Sequence, residues 1–364
     1  DPNLVLPPPR PWPSYEIILW VGDTVHRHPD RWELFLRRLR ELGATAGMVH
    51  GRADSAPWRS AHVPYYVENV VNRGLCLKWN SRVRDWNAFI NQWMTTRDPA
   101  AFVREYGLYD PEWRDWARRE ARESARRHAP HSPLAYNLRD ELSITFSANP
   151  FDYDCSPATL DAFRTWLRAR HRDLDALNRS WDTSFADWSQ IRPFSTDEIK
   201  HRMVSGAAHP QGSPDWSALS RLQFRGADAR RFPRRWNFAP WCEFRTFLDE
   251  TWANLLHELR REMRTIDPAT PVGIEGTQMP HAFGGFDLWR LARAVDWVEP
   301  YDIGGARAIF GSFMGNRPVL STIGEADETL AKRRLWRLLL EGDRGCIIWW
   351  SEDCIQWTDP EWPL

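Results

Sequence analysis

Eight short segments rich in branched and aromatic apolar residues, separated mostly by stretches of helical periodicity, predict an α/β protein of the (β/α)8 kind, a TIM barrel. The chain has 364 residues, 42% of them hydrophobic, which is enough for one core of that size. Several of the eight segments are followed at once by a carboxylate or an arginine. In a parallel α/β protein the carboxyl ends of strands are where chemistry sits.

Tyr15 to Val21 (YEIILWV) reads as the first strand, stopped by Gly22 and Asp23. From Asp30, the residues Trp32, Phe35, Leu36, Leu39 and Leu42 share one helical face opposite a run of arginines, and Gly43 ends the helix. Ala44 to His50 is the second strand, ending in Gly51 and Arg52, so the chain opens on a βαβ unit. Pro64 to Asn72 (PYYVENVVN) is the third, with Glu68 and Asn69 unusual inside it. An irregular excursion to about Asp110 holds a short helix at DWNAFINQW. Glu112 to His128 is a highly charged helix whose charges suit a solvated outer face.

Leu134, Ala135, Tyr136 and Leu138 mark the fourth strand, and Arg139, Asp140 and Glu141 follow directly. Charges that merely face solvent at a strand end would read the same way. Beyond Glu141 the alternation breaks, giving a long insertion after strand 4 over about residues 145–240. It opens with an amphipathic helix from Ser156 to Arg170 and a shorter one from Leu174 to Trp181. Arg192 to Pro240, rich in Pro, Gly, Arg and aromatics, is expected to form a wall over the site.

Alternation resumes with a helix from Trp241 to Thr265 and a fifth strand, PVGIEG, ending near Glu275. A helix from Phe286 to Ala294 leads to the sixth strand, Asp296 to Tyr301. The seventh is Pro318 to Ile323, followed by Gly324 and Glu325, and a helix from Leu330 to Leu340 precedes the eighth, Cys346 to Trp350. The expectation is a single barrel domain over residues 1–364. With little room for a last helix before Leu364, it is expected to be part of a longer chain.

A net charge of -1 argues against nucleic acid, which calls for a basic excess. No apolar run approaches the roughly 20 residues that span a bilayer, so no membrane partner is expected. Cys76, Cys155, Cys242, Cys346 and Cys354 are widely spaced, and no HxH, HxxH or HxxxH pair stands at a strand end. No cofactor and no metal are expected. The first residues, DPNLVLPPPRPWP, lack a charged-then-apolar leader, which leaves secreted, periplasmic and cytoplasmic locations open. The 23 tryptophans are notable, because flat indoles are what sugar rings stack on.

Glu141, Glu275, Glu325 and Glu352 all lie just past expected strand ends. Two carboxyl groups about 5 Å apart can divide glycoside cleavage between an acid/base and a nucleophile, and a wider gap admits water and inverts the sugar. The segment FRTWLRARHRDLDALNRSWDTSFADWSQI, Phe163 to Ile191, resembles the stretch that follows the catalytic acid in family 42 β-galactosidases. That family's pattern there is FRxWLxxxYxxLxxLNxxWxTxFxxW. The resemblance implies a retaining clan A glycosidase acting on a galactoside or related β-linked sugar, with a homo-oligomer possible.

By the same resemblance, Glu141 is the acid/base, and Asp140 stands where an asparagine usually binds the sugar 2-hydroxyl. Glu325 best matches the nucleophile, although it sits later after its strand than in the family, and Glu275 is the alternative. Tyr301 resembles the tyrosine that hydrogen-bonds the nucleophile, Trp350 the sugar-stacking indole, and Arg52 the arginine that keeps the nucleophile ionised. Asn72, Arg73 and Trp349 are further candidates for binding substrate. A competing reading is a non-catalytic barrel that binds carbohydrate, with Asp140 and the displaced Glu325 marking a decayed site.

Overall fold

The computed structural model describes residues 8–12, 14–20, 32–41, 43–76, 92–93, 95–96, 98–143, 154–194, 237–277, 286–325 and 327–349. The fold is α/β with parallel sheets. Its strands are β1 (Glu16–Leu19), β2 (Gly47–His50), β3 (Tyr65–Glu68), β4 (Tyr136–Asp140), β5 (Val272–Thr277), β6 (Trp297–Pro300), β7 (Leu320–Ile323) and β8 (Gly345–Ile348). They form a five-stranded sheet in the order β2-β3-β4-β5-β6 and a three-stranded sheet in the order β1-β8-β7. Single parallel bridges join Ile18 to Ala46 and Val298 to Val319. The same joins carry the hydrogen bonds from the Leu19 N–H to the Ala46 carbonyl (3.0 Å) and from the Val298 N–H to the Pro318 carbonyl (3.1 Å).

All eight expected strands are present, with helices between them; β4 runs past its apolar residues to Arg139 and Asp140, β5 extends to Thr277, and β8 starts at Gly345. The helices used below are α1 (Trp32–Glu41), α2 (Ala56–Ser60), α3 (Pro111–His128), α4 (Pro157–Arg170), α5 (Leu174–Trp181), α6 (Ala239–Arg264), α7 (Leu288–Ala294), α8 (Ala306–Met314) and α9 (Glu328–Leu340). None of the described helices is long and apolar enough to cross a membrane.

Helix α3 shows how local sequence sets an element. The Asp110 carboxylate accepts the N–H groups of Glu112 and Trp113, Pro111 occupies the first turn, and Arg126, Arg127 and His128 lie against the negative end of the helix dipole. Its buried face carries Trp113, Ala117, Ala121 and Ala125, spaced by four, so mostly small side chains line that face. Arg118 and Arg122 reach across to Glu258 and Glu262 of α6, each at 2.6 Å.

The Phe163 to Ile191 stretch forms α4, α5 and the turn after them. Phe163, Leu167, Leu177 and Trp181 are buried against α6, where Phe163 meets Phe244 and Phe247 at centroid separations of 5.2 and 5.1 Å. The Asn178 amide staples the turn that follows. Its Oδ1 accepts the Phe185 N–H (2.9 Å) and the Thr183 hydroxyl (3.0 Å), and its Nδ2 donates to the Phe185 carbonyl (2.9 Å). Glu243 of α6 accepts from the Trp181 indole, and Glu250 from the Trp166 indole and Arg170.

Three elements differ from the reading of the sequence, one being the short helix α2 between β2 and β3, where the sequence predicts none. Strand β3 ends at Glu68 instead of running to Asn72, because Asn69 takes a φ of +52° and turns the chain away. The stretch between β6 and β7, where the sequence predicts no element, contains α8. Gly305 (φ +78°) and Gly315 (φ +61°) bound this helix, which buries Ala306, Phe310 and Met314 on one face. Nine residues between glycines carry too few turns for periodicity to stand out.

Candidate active site

Glu141 follows the last residue of β4 with a φ of +49°, a left-handed conformation that costs a branched or long side chain energy. Three contacts hold it there. Its N–H donates to the Glu275 carbonyl of β5 (3.2 Å), and its Oε1 accepts from the Tyr301 hydroxyl just past β6 (3.2 Å). Beside it, the Asp140 N–H donates to Asn69 Oδ1 at 3.0 Å. Gly276 lies among these groups. A Cβ there would come within 2.6 Å of Asp140 Oδ1, 3.0 Å of the Glu141 nitrogen and 3.2 Å of the Tyr301 oxygen, so only glycine lets them converge.

Below this tier the strands bury three more glutamates. Asn137 Nδ2 donates to Glu68 Oε2 (2.6 Å) and to Glu275 Oε2 (3.0 Å), and the Tyr66 hydroxyl also donates to Glu275 Oε2 (3.0 Å). Glu299 of β6 accepts the Gly276 N–H (2.9 Å) on one oxygen and the Thr322 hydroxyl of β7 (2.8 Å) on the other. Glu68 and Glu299 are completely buried, and Glu275 is nearly so.

Such burial disfavours the charged form. It pushes the Glu68 carboxyl up to about 8, with the Asp140 charge adding to the effect. Burial, followed by the charges of Glu68 and Asp140, drives Glu275 well above the usual carboxylate range. Glu299 rises only to about 7, because the Gly276 N–H and the Thr322 hydroxyl stabilise its anion against burial. Burial, then Asp140 and Glu141, push the Tyr301 phenol upward, so it serves as a hydrogen-bond donor.

The geometry thus gathers Asp140, Glu141, Glu275 and Tyr301 and does not gather all the other candidates with them. Glu325, half-buried after β7, pairs with Arg334 of α9 (3.3 Å) and accepts the Gly324 N–H. Tyr301, expected on Glu325, bonds Glu141 instead. Arg52 has a 66% exposed side chain, and its Nε donates to Glu120 of α3 at 2.9 Å. Asn72 and Arg73 are exposed, and the Arg73 carbonyl accepts the Trp113 indole N–H. Trp349 is half-exposed beside Gly324. Trp350 and Glu352 lie outside the described residues.

Glu68, Asn137 and Glu299 are site residues that the sequence alone does not single out, although a polar residue inside an apolar strand is their visible signal. Among the described residues, no group of three His, Cys, Asp or Glu side chains could hold a metal ion.

This arrangement can be set beside known proteins. The family described as β-galactosidase, glycoside hydrolase family 42, matches residues 96–217, which include Glu141 and the α4–α5 stretch. A β-galactosidase from Thermus thermophilus is 27% identical over 237 residues, covering 57% of this chain and 33% of that protein. The β-galactosidase BgaA from a Thermus species is 32% identical over 161 residues, covering 38% of this chain and 23% of that protein. The chain therefore spans a third or less of the length of these two relatives.

Among solved structures, a β-galactosidase from Rahnella sp. R3 aligns with a TM-score of 0.59 and 16% identity, over 94% of this chain and 51% of its own. The catalytic domain of a β-amylase from Paenibacillus polymyxa aligns with a TM-score of 0.61 and 12% identity, over 94% of each chain. At such identities these structures speak for the fold alone. Residues 96–217 thus resemble the family 42 β-galactosidases, and over most of its length the chain shares a fold with glycoside hydrolases.

Proposed function

We propose that the chain is the barrel domain of a retaining glycoside hydrolase that cleaves a β-linked galactoside or a closely related sugar. In this reading the two bridges, Ile18 to Ala46 and Val298 to Val319, are the seams of one closed eight-stranded barrel, with a long insertion in the chain between β4 and β5. The observation that carries the reading is Glu141. It stands at the carboxyl end of β4 in a strained backbone conformation, with the Tyr301 hydroxyl on its carboxylate, inside the segment that matches the family.

Glu141 protonates the departing oxygen, a carboxylate attacks the anomeric carbon, and Glu141 then draws a proton from water to release the sugar. Glu325 is the proposed nucleophile, as the acid that follows β7, where the resembled clan carries its nucleophile. Glu275 fits that part less well, because burial and its neighbours keep it protonated. Asp140 takes a sugar hydroxyl, and Arg52, Asn72 and Trp350 remain candidates for the substrate's rim.

The test uses an alkyl or glycosyl β-galactoside, whose poor leaving group departs only when its oxygen is protonated. Glu141→Gln and Glu325→Gln are each expected to lose at least about 1000-fold in kcat for a substrate whose leaving group needs protonation. The first product anomer, read by NMR, should keep the β configuration. Full activity in both variants would sink the assignment.

A second reading has its own observation in favour. With Glu325 engaged by Arg334 and Tyr301 turned to Glu141, the surroundings expected of a nucleophile on strand 7 are not assembled. A carbohydrate-binding barrel without turnover would bind oligosaccharides and release no product over long incubation.

A further inference from the structure

Glu299 has no part in the chemistry proposed above, yet one rigid unit connects it to Glu141. The peptide between Glu275 and Gly276 offers its carbonyl to the Glu141 N–H at 3.2 Å and its N–H to Glu299 Oε2 at 2.9 Å. Because a peptide unit is planar, whatever fixes its N–H also fixes the direction of its carbonyl. The other Glu299 oxygen is held by the Thr322 hydroxyl at 2.8 Å, which ties the unit to β7 as well.

Two facts make this grip necessary. Glu141 (φ +49°) and Gly276 (φ +58°) are both left-handed, so neither backbone is held by ordinary strand geometry. Gly276 is also flanked by Asp140 Oδ1, the Glu141 nitrogen and the Tyr301 hydroxyl, which leave no room for a side chain there.

We propose that Glu299 is a positioning residue for Glu141, acting through the Glu275–Gly276 peptide that it clamps against Thr322. The inference rests on the reading of Glu141 as the acid/base. Glu299 itself meets no substrate. Its work is to aim the carbonyl on which the Glu141 main chain hangs, and so to set the distance between the Glu141 carboxyl and the departing oxygen.

The chemistry of the clamp selects the test. Glutamine keeps the length of the side chain: its carbonyl accepts the Gly276 N–H, and its amide donates to Thr322, whose hydroxyl accepts as readily as it donates. Aspartate keeps the charge but is one methylene too short to reach both partners. Glu299→Asp is therefore expected to lower kcat about 30-fold to 100-fold with KM within about 3-fold, whereas Glu299→Gln stays within about 5-fold of the parent kcat. Thr322→Val, which removes one partner only, should fall between them.

Thermal unfolding of each variant accompanies the kinetics, so that activity is expressed per folded molecule. If Glu299→Asp kept full kcat, or if Glu299→Gln lost as much as Glu299→Asp, the clamp would be overturned, the latter result pointing to charge instead of geometry. Glu141→Gln separates the two ideas. Full activity in Glu141→Gln refutes the acid/base reading, while an inactive Glu141→Gln beside a fully active Glu299→Asp refutes the clamp alone.

Discussion

The α4–α5 stretch and the strand ends around Glu141 are built on opposite terms. In the first, almost every polar group finds a partner that any folded protein could supply: Asn178 closes a turn, Glu243 takes an indole N–H, and Glu250 takes another. In the second, three glutamates are buried next to one another, two backbones are left-handed and a glycine is packed between side chains. The stretch that carries the sequence resemblance is thus scaffold, and the residues that look like chemistry lie outside its pattern. A family signature can identify a fold through the parts that never meet a substrate.

The sharpest way to break this contrast is Gly276→Ala. A methyl group 2.6 Å from Asp140 Oδ1, on a backbone at φ +58°, must displace Asp140, Glu141 or Tyr301. The expected result is a loss of about 100-fold or more in kcat toward an aryl galactoside, with about 1–3 kcal/mol of stability lost in urea titration.

Stability against pH reports on the buried glutamates. Glu68 holds its proton to about 8 in the folded chain, against an ordinary value of 4.5. Between those values unfolding releases a proton, so this contribution is full below about pH 4.5, falls as pH rises and is gone above about 8. Its size is at most a few kcal/mol, since each tenfold change in proton affinity is worth about 1.4 kcal/mol. Urea midpoints from about pH 5 to about pH 8.5 should show that decline, and Glu68→Gln should flatten part of it. An unchanged slope in the variant would mean that Glu68 is ionised throughout.

Asn178→Ala probes the other region. Three hydrogen bonds disappear and the Phe185 N–H loses its acceptor, so about 2–3 kcal/mol of stability should go, with activity per folded molecule intact. A selective loss of kcat here would erase the division between scaffold and site.

The smallest expected change is Arg52→Ala. An ion pair whose arginine is 66% exposed is worth less than about 1 kcal/mol, which thermal unfolding would barely register. A tenfold or greater rise in KM for the galactoside would instead return Arg52 to the substrate's rim.

The sequence is most readable where residues obey a period. The strands show as apolar runs, and α3 and α4 show by spacing and capping. Glu141 is readable too, as one of the charges that follow an apolar run at an expected strand end. What escapes is what depends on neighbours distant in the chain. Glu68 looks like a flaw in β3, since nothing near it announces Asn137 or Glu275 as partners. The direction of Arg52 is equally hidden: Glu120, 68 residues away, decides it.

Glu141 also has an evolutionary side. At φ +49° a glycine or an asparagine would relieve the backbone, as Asn69 does at φ +52° on the neighbouring strand end. Under the acid/base proposal for Glu141, selection for stability and selection for chemistry pull this position in opposite directions. A gene copy released from its chemistry would gain by drifting to Gly or Asn at 141, and each such exchange would be easy to keep. This chain still carries the glutamate, so position 141 is where loss of function in any descendant should first become visible.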